Sequence, residues 1–399
     1  MEGTMIRWTM NRMPKSDDVW LKVMSPDEVK KVRAFHSSFP QYKPTPLVRL
    51  KNTAKALGLG GLYVKDESKR FGLNAFKVLG GSYAIAHEIA DAVGRDIGET
   101  DYAYLTGEKL RSEYGQATFY TATDGNHGRG VAWSARQLGQ KAVVLMPRGT
   151  VQSRYDNIAR EGASVSIEEA NYDECVRRAC ALAKKAERGV VVQDTAWEGY
   201  ERVPCRIMQG YGTMADEAAQ QLAEDGVKRP THVFLQAGVG SMAGAVAGYY
   251  ANLYGDACPK IVVMEPHEAN CHYRSALAGD GSIRIVGGDL HSMMAGLACG
   301  VPNPISFDIL KNHACCFISC ADEASACGML LLAAPAAGDQ AIVSGESGAV
   351  GMGLVQMIMT DGAYAEIKDS LGLDESSVVL LFSTEGDTDP ENYRAIVNR

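Results

Sequence analysis

Lys77 is the residue with the clearest capacity for chemistry. It stands in Asn74-Ala75-Phe76-Lys77-Val78-Leu79-Gly80-Gly81, an apolar setting just ahead of a helical stretch. A desolvated lysine gives up its charge more easily and becomes a nucleophile toward carbonyl carbons, although a lysine near a helix start is most often just a solvated side chain. Three glycine-rich turns each follow a strand-like run and open a helix: TDGNHGRG at 123–130, AGVGSMAG at 237–244 and SGESGAVGMG at 344–353. In such turns the missing side chains let backbone N–H groups converge on an anion at the positive end of a helix. AGVGSMAG is the best phosphate candidate. Its spacing, Gly238-x-Gly240-x-x-x-Gly244, misses the dinucleotide fingerprint by one residue, and it lacks the Lys-Ser/Thr ending of a nucleotide P-loop. The competing reading is a tight strand-to-helix turn that binds nothing.

A lysine before a strand-linked helix, followed far downstream by a phosphate-type loop, is what pyridoxal phosphate requires: one imine partner and one phosphate cradle. The elements that must position them alternate. Short β-branched or apolar runs predict strands at 61–64, 117–121, 141–146, 164–167, 190–193, 232–236, 261–265, 341–344 and 378–382. Helical patterns at 81–93, 128–137, 172–187, 214–222 and 243–253 fall between them. The alternation predicts an α/β protein with a large, twisted, mostly parallel sheet. The four strands between 117 and 193 suggest a smaller inserted α/β domain, giving a large domain of 1–90 and 208–399 and a small one of 91–207. The polar stretch 91–115 reads as an exposed connection.

Composition narrows the function classes. Glycine supplies 42 of 399 residues, about 10.5%, against a usual ~7%, so many sharp turns or close approaches are expected. With 40 basic and 48 acidic residues the formal charge is −8, which gives no basic surplus for nucleic acid or an anionic membrane surface. Residues 1–39 mix charges among apolar positions and lack a secretory core. The longest apolar run, 329–337, contains Pro335 and falls far below the ~18 residues of a spanning helix. A cytoplasmic location is expected. The ten cysteines form no CxxC pair, and Cys315, Cys316 and Cys320 near His313 are poorly spaced for a tetrahedral metal site. No metal is therefore expected. Cys271 and Cys299 flank a segment that could cover a substrate pocket; a reversible disulfide between them competes with free thiols, the default in a reducing compartment.

From Pro44 onward the chain resembles the fold-type II pyridoxal-phosphate enzymes, the group that includes tryptophan synthase β, cysteine synthase and threonine dehydratase. The order of motifs carries the resemblance: Pro44-Thr45-Pro46-Leu47, Phe76-Lys77, Gly125-Asn126-His127, the glycine loop, and a terminal strand ending in Ser383-Thr384. Within that group it is most similar to the diaminopropionate ammonia-lyases, through KDESKRFGLNAFKVLGGSYA at 65–84, YTATDGNHGRGVAW at 120–133, QDTAWEGYERVP at 193–204, AGVGSMAG, MMAGLACG at 293–300, SGESGA and FSTEGDTDP at 382–390.

The resemblance implies that Lys77 holds pyridoxal 5'-phosphate through an imine and, once displaced, removes the substrate α-proton. It implies that Asn126 bonds the cofactor 3-hydroxyl, that Gly238, Val239, Gly240, Ser241 and Met242 bind its phosphate, and that Thr384, with Ser383 as the alternative, faces the pyridine nitrogen. Thr123, Asp124, Gly125 and His127 would form the loop at the substrate carboxylate, with His127 supporting the turn. Asp124 is the departure from many relatives, which carry a small residue there. A carboxylate facing a carboxylate is unfavourable without a cation or a proton, so an extra substrate amine is expected, as in 2,3-diaminopropionate. Asp194 is a second candidate partner for that amine. Lys77 and Asp124 on opposite faces could serve opposite enantiomers. Structural alternatives stand beside these: an N-cap for Asp124 and a strand-end turn acid for Asp194. The implied reaction is α,β-elimination to pyruvate and two ammonia by a homodimer acting on a small amino acid. The alternatives are a serine/threonine dehydratase-type lyase and a non-catalytic cofactor or amino-acid binder.

Overall fold

The computed structural model describes residues 5–123 and 125–398. These residues fall into two compact units, one of 5–25, Pro44–Asn74 and 214–398, the other of Pro26–Lys43 and Ala75–Thr213.

The first unit is built on a seven-stranded sheet. Its strands are β1 (Ile6–Met10), β2 (Leu47–Arg49), β3 (Gly61–Asp66), β8 (His232–Gln236), β9 (Lys260–Pro266), β10 (Ala314–Cys320) and β11 (Val378–Ser383), in spatial order β1-β10-β9-β8-β11-β3-β2. The five inner strands run parallel, and β1 and β2 close the edges antiparallel. Strands β3 and β8 are buried along their whole length, the pattern of parallel strands covered on both faces. Helices Ser241–Tyr254 and Glu346–Thr360 pack on β8. The core beneath them includes Leu62, Val64, Phe234, Val262, Met264, Ile318 and Leu381.

The second unit holds a four-stranded parallel sheet of β4 (Thr118–Ala122), β5 (Lys141–Met146), β6 (Ser164–Ile167) and β7 (Gly189–Val191), in order β6-β5-β4-β7. Helix Val78–Ala92 lies against helix Asn126–Gln137. Two glycines set that approach. A Cβ on Gly130 would stand 2.8 Å from the Val78 nitrogen, and one on Gly81 would meet the Gly130 carbonyl carbon at 3.3 Å. Helix Val78–Ala92 therefore belongs with the smaller sheet, as does 26–43, whereas the sequence reading put 1–90 with the larger one.

Two further expectations are corrected. Residues 341–344 form no strand: Ala341 and Val343 face solvent, and Ile342 spends its N–H on the Leu332 carbonyl rather than on a ladder. The inner strand missing from the sequence reading is β10, ACCFISC, whose cysteines act as small apolar side chains. The stretch 91–115 is more than a connection, since its short helices Tyr102–Thr106 and Glu108–Tyr114 bury Leu105, Leu110 and Tyr114. Among the described residues no helix is long and apolar enough to cross a membrane.

Candidate functional site

In the second unit the sequence-predicted residues converge on Lys77. Lys77 immediately precedes helix Val78–Ala92, so its backbone is fixed by the close approach at Gly130. Its Nζ donates to Asp194 Oδ2 at 2.5 Å. The lysine side chain keeps 22% of its exposure, whereas Asp194 keeps only 7%. Burial pushes the Asp194 carboxyl up, but Lys77 and His127 beside it more than reverse that and hold it down at about 2. With Lys77 and His127 beside it, Asp194 favours the anion.

The residues before Asp194 fix its position. Gln193 Oε1 accepts from Thr121 Oγ1 at 3.0 Å and the Ala122 N–H at 3.1 Å, while its Nε2 donates to the Ala122 carbonyl at 3.0 Å and the Tyr172 hydroxyl at 2.6 Å. The segment after β7 is thereby pinned to the end of β4. His127 Nε2 lies 2.8 Å from the Val192 carbonyl. A carbonyl only accepts, so Nε2 carries a proton, and Nδ1 is left 3.9 Å from Asp194 Oδ2. His127 thus braces the turn against the Val192 carbonyl and lies beside the acid. Thr123 Oγ1 accepts from the Gly125 N–H at 3.0 Å, closing the loop, and Asn126 opens the following helix. Asp124 lies outside the described residues.

Tyr211 is the residue near Lys77 that sequence reasoning missed. Its ring packs on Phe76 with centroids 4.8 Å apart and fills the space left by Gly80, whose Cβ would stand 2.8 Å from the ring. Its hydroxyl is buried and has no hydrogen-bond partner among the described residues. Burial pushes the phenol well up; Lys77 opposes this and Asp194 adds to it.

In the first unit AGVGSMAG joins β8 to helix Ser241–Tyr254. Gly240 is the N-cap, in the left-handed region at φ 91°, and a side chain there would be strained as well as blocked. A Cβ on Gly240 would meet His272 Nε2 at 2.4 Å, and one on Gly238 would meet the Gly296 carbonyl at 3.1 Å and Cys299 Sγ at 3.2 Å. From behind, the Asn303 N–H donates to the Val239 carbonyl at 2.7 Å and its Nδ2 donates to Ser241 Oγ at 2.8 Å. Such a turn presents the first N–H groups of a helix, Ser241 and Met242 among them, to an anion.

Thr384 follows β11, and its Oγ1 accepts from Gln236 Nε2 at 3.0 Å. Having accepted there, the hydroxyl can direct its own proton elsewhere. Ser383, by contrast, donates to Ser344 Oγ at 2.7 Å. Gln236 Oε1 and Ser347 Oγ are buried without partners among the described residues. All ten cysteines are free, and Cys271 Sγ lies 3.6 Å from the Cys299 carbonyl rather than bonded to its sulfur.

A large, mostly parallel α/β sheet with a glycine turn at a helix N-terminus, and a second, smaller parallel α/β unit, is the architecture of the fold-type II cofactor enzymes. The family model "Pyridoxal-phosphate dependent enzyme" matches residues 39–383, and the chain belongs to that family. It is 50% identical over 367 residues to diaminopropionate ammonia-lyase of Salmonella typhimurium, covering 92% of this chain and 91% of the relative. Crystal structures of the Escherichia coli diaminopropionate ammonia-lyase match it closely. The complex with D-serine aligns at TM-score 0.89 and 45% identity, covering 98% of this chain and 96% of the other. The complex with an aminoacrylate-PLP azomethine reaction intermediate aligns at TM-score 0.88 and 44% identity over the same shares.

Each unit by itself carries groups suited to pyridoxal phosphate. In the second unit a primary amine is partly exposed at Lys77; in the first, a glycine turn that tolerates no side chain caps a helix at Gly240, and the Thr384 hydroxyl, accepting from Gln236, keeps a proton to donate.

Proposed function

We propose that this chain catalyses pyridoxal-phosphate-dependent α,β-elimination of 2,3-diaminopropionate, which with one water gives pyruvate and two ammonia. The observation that carries the reading is the Lys77–Asp194 pair, 2.5 Å across and largely buried. Lys77 would be the covalent attachment point of the cofactor, with the glycine loop 238–242 at its phosphate and Asn126 at its 3-hydroxyl. Bound pyridoxal phosphate supplies the electron sink that makes an α-proton removable. Once its amine is freed by substrate, Lys77 would take that proton.

An imine nitrogen is far less basic than a lysine amine, so attachment would weaken the cation that holds the buried Asp194 carboxyl down. The β-ammonium of diaminopropionate supplies one, and the hydroxyl of serine or threonine does not. This supports the diamino acid over the dehydratase reading. Thr384 would donate to a neutral pyridine nitrogen, since its Oγ1 already accepts from Gln236, whereas Ser383 is engaged with Ser344. A nitrogen left unprotonated weakens the sink and favours prompt β-elimination.

Thr123, Gly125 and His127 would shape the substrate carboxylate loop, and Asp124 would serve as the base for the enantiomer that Lys77 cannot reach. Assay of Asp124→Asn with L- and D-diaminopropionate separately tests this: one enantiomer should lose far more than the other, and equal losses sink the two-base reading. We further propose a homodimer in the cytoplasm, which the ten free thiols support and sedimentation would check. The central experiment is to record absorbance at the imine band and measure pyruvate from diaminopropionate, serine and threonine. Diaminopropionate should be preferred. Preferred serine or threonine turnover would favour a dehydratase, and colour without turnover a binding protein.

A further inference from the structure

We infer that Arg154 binds the substrate α-carboxylate and so sets the preference for a free amino acid; the inference rests on the reading that the loop 123–127 receives that carboxylate. By itself the loop is a poor anion site. Its sequence carries Asp124, and two carboxylates come together at a cost unless a cation serves both. The helix N-terminus at Asn126 contributes only about half a charge. Two other cations of the same unit already have anions, Lys77 with Asp194 at 2.5 Å and Arg129 with Glu161 at 3.4 Å.

Arg154 comes from a different element of that unit. Helix Gln152–Ala159 packs against helix Asn126–Gln137, and two of its residues, one turn apart on one face, meet the turn that opens its neighbour. Ile158 is fully buried, and a Cβ on Gly128 would stand 3.2 Å from its Cδ1. Four residues earlier, Arg154 runs its side chain over Gly125. A Cβ on Gly125 would lie 3.4 Å from Arg154 Cδ and 3.8 Å from Nε. Since Nε is the first atom of the guanidinium, the charged group lies beside the loop. Arg154 is half-buried, braced by the loop yet open to an incoming ligand.

Its place in the helix points the same way. Arg154 sits in the first turn, after an N-cap, Val151, that makes no side-chain capping bond. A cation there opposes the helix dipole, so helix stability does not account for it. An anion at the loop does. A guanidinium is always charged and carries several donors in a fixed fork; one edge can hold the substrate carboxylate in a bidentate pair while another faces a loop acid.

The test uses the holoenzyme and two ligands with neither a Cβ leaving group nor handedness, glycine and glycinamide. Each is titrated by the change in the imine band, and the dissociation constants are expressed on the free amine to remove the difference in basicity. The parent should bind glycine more tightly than its amide. Arg154→Gln and Arg154→Met should each lose about tenfold to a hundredfold of that preference, the worth of a hydrogen bond to a charged group, with glycinamide bound as before. Should one variant fail to fold, the other carries the comparison. An unchanged preference, or equal weakening toward both ligands, would overturn the inference and leave Arg154 as a brace of the loop. A parent without preference for the acid over the amide would instead overturn the carboxylate-loop reading beneath it.

Discussion

The Lys77 ammonium rests 2.5 Å from the Asp194 carboxylate, inside one compact unit and next to a histidine that contributes to the same acid. The pair places a buried carboxylate beside the nucleophile. Replacing Asp194 by Asn keeps the shape and removes the charge. Truncating one partner of a buried charge pair in a binding contact costs roughly 2–5 kcal/mol of binding, so kcat/KM for diaminopropionate should fall by about thirtyfold or more. Turnover of serine, which brings no second ammonium, should fall much less. Equal loss on both substrates would remove the ammonium-binding role.

The same acid makes a pH prediction. Its folded value of about 2 lies below the ordinary 3.8, so the folded state favours the anion. Its contribution is complete above the unfolded value and is lost as pH falls from about 4 toward about 2. At 1.36 kcal/mol per unit that is on the order of 2 kcal/mol. Urea unfolding of the apoenzyme should show Asp194→Asn less stable than the parent at pH 7, with the gap closing near pH 2 to 3. A gap independent of pH would assign the loss to packing.

Much of this arrangement was legible from residues that obey local rules. Lys77 before a helix, the three glycine turns and the alternation of β-branched runs with amphipathic stretches each announce an element by themselves. What escaped was chemistry assembled across the chain. Nothing near Tyr211 in the sequence indicates Phe76 or Gly80, and Arg154 reads as a helix residue until Gly125 is seen beneath it. Strand β10 is hidden because three of its seven residues, Cys315, Cys316 and Cys320, are cysteines, which do not stand out as a β-branched run. At 341–344 the alternation was real, with Ile342 and Ser344 buried, but no partner strand lies alongside.

The opening motif Pro44-Thr45-Pro46-Leu47 and the run KDESKR have a structural explanation. Glu217 joins Lys65 at 2.7 Å and Arg70 at 2.8 Å, while Glu67 holds Arg70 at 2.9 Å and accepts from Thr45 Oγ1 at 2.6 Å. Two buried cations thus meet two buried anions, and Glu217 is held well below the usual carboxylate range: burial pushes it up, and Arg70 and Lys65 overcome that. Glu217→Gln leaves an uncompensated positive charge in the first unit. Destabilisation of about 3–5 kcal/mol is expected, read as a lower urea midpoint with an unchanged slope.

Tyr211 supplies the most diagnostic pairing of stability with activity. Its hydroxyl is buried without a partner among the described residues, a state that costs roughly 1–3 kcal/mol relative to an apolar group of the same shape. The ring itself is needed, since it packs on Phe76 and fills the gap at Gly80, one turn from Lys77. Tyr211→Phe keeps the ring and deletes only the oxygen. If the hydroxyl served packing alone, the variant would be more stable and equally active. An unsatisfied polar group kept beside a nucleophile is instead the signature of stability traded for function. The expected outcome is an apoenzyme stabilised by about 1 kcal/mol whose turnover of diaminopropionate is several-fold slower, with KM little changed. Calorimetry and steady-state kinetics on the same preparation check both halves, and a variant that is more stable and fully active would reduce Tyr211 to a packing residue.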